Sequence, residues 1–133
     1  MGQFLKLFAI ALPTFLAIDL VWLGIVARPF YRSQLGPLMR EDVNWVAAFL
    51  FYGIFVAGIV ILAVGPAVER ESFSQAVILG AVMGLVAYAA YDLTNLATLN
   101  GFPTAMAIVD LIWGTVLTGT VSAITYKVWF LIP

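Results

Sequence analysis

The sequence predicts an all-α membrane protein, with four antiparallel transmembrane helices in one bundle, on three observations. Hydrophobic residues make up 64% of the 133-residue chain and charged residues only 10%. Four stretches are long and apolar enough to cross a bilayer, which takes about 20 residues each. The connections between them are short, which sets neighbouring helices antiparallel. A soluble domain of this size keeps too large a surface to hide so much apolar side chain, so lipid is the solvent that fits.

The first span is expected over about 5–27, with Lys6 and Asp19 as its only charges. Lys6 before an apolar run also resembles a cleaved leader. Pro13, Asp19 and Trp22, and the lack of a small-x-small site after the run, favour a retained helix. The second span is expected over about 43–65 and holds no charge. The third, about 74–99, holds only Asp92, and the fourth, about 104–126, only Asp110. One membrane domain over 1–133 follows.

The connection from Arg28 to Asp42 is the longest and most polar. Pro29 and Gly36-Pro37 break any long helix there. Phe30, Tyr31, Leu35, Leu38 and Met39 suggest a segment lying on the membrane surface. The stretch from Gly65 to Phe73 carries Glu69, Arg70 and Glu71, and Asn100-Gly101-Phe102-Pro103 has the residues of a tight turn. Both termini then share side B, and the Arg28–Asp42 connection and the Asn100 turn share side A. Side A carries Arg28, Arg32 and Arg40, and side B carries Lys6, Arg70 and Lys127. The positive-inside rule therefore gives a tie. Trp45 and Trp129 read as interfacial belt residues.

Composition excludes several chemistries. The net charge of −1 offers no basic footprint for nucleic acid. There is no Cys and no His. Zinc sites, haem ligation through either residue, Ser-His-Asp triads and Cys-His pairs are therefore not expected.

The acidic residues are sorted by depth. All three Glu lie in connections, and three of the four Asp (Asp19, Asp92, Asp110) lie in spans. A charge at the centre of a membrane helix costs about 2.5–3.5 kcal/mol on insertion scales, so these three need a reason. Asp92 lies nine residues before Gly101 and Asp110 nine after it, while Asp19 lies eight before Ala27. At about 1.5 Å per residue, all three fall roughly 10–13 Å below side A.

Residues three and four apart share a helix face. Trp22 thereby joins Asp19, Tyr88 and Asn95 join Asp92, and Trp113 and Gly114 join Asp110. Tyr52 reaches a similar depth from the second span. These eight residues (Asp19, Trp22, Tyr52, Tyr88, Asp92, Asn95, Asp110, Trp113) form the candidate polar layer. Ala76, Gly80 and Gly84 lead into Tyr88 and Asp92 at four-residue spacing, a small-residue stripe that lets helices approach. Gly114, Thr118, Ser122 and Thr125 continue from Asp110 in the fourth span. Asp19-Leu20-Val21-Trp22 is also repeated as Asp110-Leu111-Ile112-Trp113, an inverted relationship or a coincidence.

Three acids in a low-dielectric layer cannot all stay charged and unpaired. They share protons, hold a hard cation such as Mg²⁺ on Asp19, Asp92 and Asp110, or pair with Arg28 or Arg32 from side A. A satisfied polar layer that fixes helix pairing is the alternative.

Three runs carry a family resemblance: Asp19-Leu20-Val21-Trp22-Leu23-Gly24, Tyr91-Asp92-Leu93-Thr94-Asn95-Leu96-Ala97-Thr98, and Asp110-Leu111-Ile112-Trp113-Gly114. They resemble the domain-of-unknown-function 2177 family of small bacterial integral membrane proteins. The resemblance covers nearly the whole chain. It implies a multi-pass protein of the bacterial inner membrane and supplies no activity.

Three functions are compatible with these residues. The first is a proton- or cation-linked module that binds or transports a small molecule or lipid, with a homodimer to enclose a path. The second is a membrane enzyme on a lipid or isoprenoid-like substrate, with Arg28, Tyr31 and Arg32 meeting a head group. The third is a structural or assembly subunit.

Overall fold

The computed structural model describes residues 1–133, which form five α-helices, one short 3-10 turn at Gly36–Leu38 and no strand. Four are long and apolar enough to span a membrane: α1 (Gly2–Val26), α3 (Trp45–Glu69), α4 (Phe73–Thr98) and α5 (Thr104–Leu131). The fifth, α2 (Arg28–Leu35), is a short amphipathic helix between α1 and α3.

Helix starts follow their caps. The Asn44 side chain accepts from the Ala47 N–H at 3.2 Å and opens α3. Ser72 accepts from Gln75 N–H at 3.3 Å and opens α4. These contacts satisfy N–H groups that have no partner inside the first turn. Pro29 does not prevent a helix, because it stands in the first turn of α2, where its missing N–H is harmless. Gly36 (φ 53°) ends α2 and Gly101 (φ 77°) turns α4 into α5, both in the left-handed region glycine tolerates.

Two helices run past their expected ends on side B. The second span was expected to stop near Gly65, yet α3 continues to Glu69. A wide π turn at Val60–Val64 makes this possible, with the Gly65 N–H reaching back to the Val60 carbonyl. The five-residue step re-aims the backbone so that the Pro66 ring enters a new first turn and escapes the clash with the preceding one. The fourth span reaches Leu131, beyond the expected 126. A second π turn closes α1 at Trp22–Val26.

The tightest packing joins α4 to α5. Gly80 lies against Ser122, and Gly84 lies against Gly114 and Thr118. Ala76, Gly80, Gly84 and Asp92 are the buried residues of α4, the face that four-residue spacing indicates. On α1 the buried stripe is Leu7, Ala11, Phe15 and Asp19, so Asp19 continues the core face. Phe55, Val56, Ile59, Leu117 and Val121 belong to the same interior. Ile54, Ile61, Val86 and Ile112 face outward, as lipid-facing side chains do. Trp45 is exposed at the side A end of α3, and Trp129 lies under the Lys6 ammonium on side B.

Candidate functional site

Asp19 and Asp110 open onto one cavity of about 530 Å³. Its walls come mainly from α3 and α4, with Leu23 of α1, Tyr31 of α2 and Trp113 of α5 closing the rest. Ala48, Phe51, Tyr52 and Phe55 present one face of α3, and Ala87, Tyr88 and Tyr91 present one face of α4. These two helices pack at the Val60–Val64 turn and separate toward side A. The Phe55 and Tyr88 rings bridge them at 6.2 Å between centroids. Phe51 (46% exposed) and Tyr91 (54% exposed) stand at the rim. The cavity is therefore an apolar cleft between two membrane helices with carboxylates at its inner end.

Asp19 is buried and holds two donors. Trp113 Nε1–H donates to Oδ1 at 3.2 Å, and the Tyr52 hydroxyl donates to Oδ2 at 3.3 Å. Asp110 accepts from the Tyr31 hydroxyl at 2.7 Å, and Tyr31 in turn accepts from Trp22 Nε1–H at 3.1 Å. The Trp22 and Trp113 rings stack at 4.1 Å, 8° from parallel. The repeated Asp-Leu-x-Trp runs thus form a crossed clasp. The indole of each run serves the carboxylate of the other, directly for Asp19 and through Tyr31 for Asp110.

Tyr31 reaches Asp110 because α2 is amphipathic. Its inner side packs Tyr31 against Ala27 and Met106, while Arg28, Arg32 and Ser33 stay exposed. Burial is the main influence pushing the Tyr31 phenol well above its usual range, so it stays a neutral donor. Tyr88 faces both Asp19 and Asp110 from α4. It has room because Gly114 lies beneath its ring, where a Cβ would collide.

Asp92 differs from the other two. It is fully buried (0% exposed), and neither carboxylate oxygen has a hydrogen-bond partner. Its acidic neighbour is Asp110 across the α4–α5 seam. The Thr118, Ser122 and Thr125 hydroxyls lie farther along that seam, also without partners. Asn95 sits beside Tyr91 at the side A end.

Several expectations need correction. Asp19, Asp92 and Asp110 do not close into a three-acid set that could hold a metal ion. Asp19 is turned toward Trp113 and Tyr52, while Asp92 faces Asp110 from behind, so equal depth does not bring all three together. Arg28 and Arg32 do not descend to the acids, since both are exposed on side A and a phenol fills that role. Tyr31 faces inward and lines the cavity beside Asp110, apart from the exposed Arg28 and Arg32. The wall residues Ala48, Phe51, Phe55 and Ala87 lie outside the expected polar layer, and Tyr91 entered only through the family run. The signal for the α3 wall was present, because Ala48, Phe51, Tyr52 and Phe55 follow the i, i+3, i+4, i+7 rule for one helix face.

No curated protein and no solved structure matches the chain. The family model described as "Predicted membrane protein (DUF2177)" matches residues 4–127, and the chain belongs to that family.

Proposed function

We propose that this chain is a single-domain, multi-pass protein of the bacterial inner membrane that binds an amphiphilic small molecule or lipid. The apolar part of the ligand enters sideways from the bilayer between the side A halves of α3 and α4. Its polar end rests on Asp19 and Asp110. The supporting observation is the 530 Å³ cavity, with aromatic and aliphatic walls and two carboxylates at its inner end. Pockets of that size, mostly apolar with a few convergent polar groups, are the usual form of small-molecule sites. An ionisable residue held inside a membrane bundle also marks function more often than packing.

Native mass spectrometry of the protein released from membranes in mild detergent tests this. A lipid-like adduct, one per chain, is expected to survive activation that strips surrounding lipid. Ala48→Trp fills the α3 wall and is expected to abolish it. A wild-type chain free of adduct at the gentlest activation overturns the proposal.

One observation favours a second role, in assembly. Both Asp19 oxygens are already satisfied, which a carboxylate that only fastens helices would show. On that reading Ala48→Trp changes nothing that can be measured beyond stability.

A further inference from the structure

We infer that the occupant of this cavity is a hydrophobic cation, an alkyl- or aryl-substituted onium, and that it takes its place in exchange for a proton held between Asp92 and Asp110. The inference rests on the cavity being the binding site and names the charge of what enters it.

Charge balance points to the cation. Two carboxylates line the cavity, and no Lys or Arg does. The chain has six basic residues in all and no His. Lys6 is held at Trp129 and the Pro133 carbonyl, Lys127 lies over the Phe73 ring, and Arg40 binds the Asp42 carbonyl. Arg28 and Arg32 are exposed on side A, and Arg70 is exposed on side B. None of these reaches the inner end of the cleft. An anionic head group would be repelled there. A cation is drawn by the carboxylates and by the faces of the rings around them. Cation–π attraction grows to about 2 kcal/mol or more where water is excluded. Tyr52, Tyr88, Phe51 and Trp113 supply those rings. Their bulk suits a cation dressed in apolar groups better than a small hydrated ion, whose water the walls cannot replace.

The proton follows from Asp92. A fully buried carboxyl with two unpartnered oxygens, beside a second carboxyl, leaves a double negative charge without compensation. One proton shared by the pair removes that cost while the cavity holds no cation. The groups facing Asp110 are Asp92, Tyr88 and Tyr91 on α4, Tyr31 on α2 and Asp19 on α1. From α3, Tyr52 faces Asp19. Every one is an acid or a phenol, so no neighbouring base supplies the missing positive charge. When an onium ion settles against Asp110, the shared proton leaves to water, and the net charge of the site is unchanged.

The full chain in lipid nanodiscs, with empty discs as the blank, tests both parts using three probes of similar shape. These are tetraphenylphosphonium, the isosteric anion tetraphenylborate, and neutral triphenylphosphine oxide. Saturable binding is expected for tetraphenylphosphonium only. Lowering the pH weakens it, and about one proton per bound cation appears in weakly buffered solution. Asp110→Asn lowers affinity at least about tenfold. Asp92→Asn releases no proton on binding the cation, and its affinity no longer varies with pH. Should Asp110→Asn fail to fold, wild type and Asp92→Asn still decide. Equal binding of the neutral probe, or stronger binding of tetraphenylborate, overturns the cation while leaving the cavity reading intact. Proton release unchanged in Asp92→Asn overturns the exchange. If no probe binds and no adduct is retained by native mass spectrometry, both readings fail together.

Discussion

Trp22 of α1 and Trp113 of α5 lie face to face, 4.1 Å between ring centroids and 8° from parallel. Each belongs to an Asp-Leu-x-Trp run on helices that pass in opposite directions. In each run the Asp and the Trp sit three residues apart, on one helix face. Laying two such faces against each other antiparallel brings each indole to the level of the opposite carboxylate. Stacking in offset geometry adds about 0.5–1.5 kcal/mol to the area the rings bury. The clasp holds Asp19 and Asp110 at fixed positions on the cavity, and Tyr31 completes it from outside the spans.

The two indoles are not equivalent. Trp113→Phe keeps a ring in the stack and leaves Asp19 Oδ1 without its donor. Trp22→Phe removes a donor from Tyr31, which still donates to Asp110. Trp113→Phe is expected to destabilise by about 1 kcal/mol, near the value of an intramembrane hydrogen bond, and Trp22→Phe by clearly less. Unfolding in mixed micelles compares them, and the reverse order would contradict the hydrogen-bond scheme.

Tyr31 ties the surface helix to the membrane interior. Tyr31→Phe is expected to raise hydrogen exchange across Arg28–Leu35 while protection in α4 and α5 stays as it was. The phenol is shifted up by burial, so the folded protein holds its proton more tightly than the unfolded chain does. Its contribution is therefore present through neutral pH and fades only above about pH 10, where an unfolded tyrosine ionises. Loss of α2 protection at mildly acidic or neutral pH would rule out this anchor.

The α4–α5 seam distinguishes glycines that look alike in sequence. A Cβ on Gly84 runs into the Gly114 carbonyl and the Thr118 side chain, whereas one on Gly119 meets Ala81 Cβ at 3.4 Å, an ordinary contact. Gly84→Ala is expected to cost about 1–3 kcal/mol, as overpacking does, and Gly119→Ala well under 1 kcal/mol. Thermal melts of the two purified variants measure the difference.

Asp92 sets stability against function. Its carboxyl is buried with no donor of its own, and a proton shared with Asp110 offsets only part of that cost, so Asp92→Leu is expected to stabilise the fold by about 1 kcal/mol. The same variant is expected to lose proton exchange. A lower melting temperature for Asp92→Leu would mean that the carboxyl is needed by the fold itself.

The four spans were legible because lipid imposes the strongest pattern a sequence can carry. Expected ends at 65 and 126 fell short of Glu69 and Leu131. Gly65-Pro66 punctuates like a helix stop, and only a π turn upstream lets the helix pass it. The site was legible in part. Spacing from Gly101 and Ala27 placed the three Asp in one layer, and Asp19 and Asp110 do line one cavity. Asp92 faces the seam behind them, which spacing along a helix cannot tell.

What the sequence determined by itself is therefore axial: four apolar spans, their antiparallel order, the depth of each carboxylate and the face each side chain shares with its neighbours. Those follow from the regular rise and twist of a helix, which only the π turns at Trp22–Val26 and Val60–Val64 interrupt. What the tertiary structure decided is lateral: that Trp113 serves Asp19, that Tyr31 and not an arginine reaches Asp110, and that α3 and α4 part to leave a cleft. These depend on how the helices turn about their axes and where they cross. That is settled by close packing of whole faces, such as Gly84 on Gly114, rather than by any single residue's position along the chain.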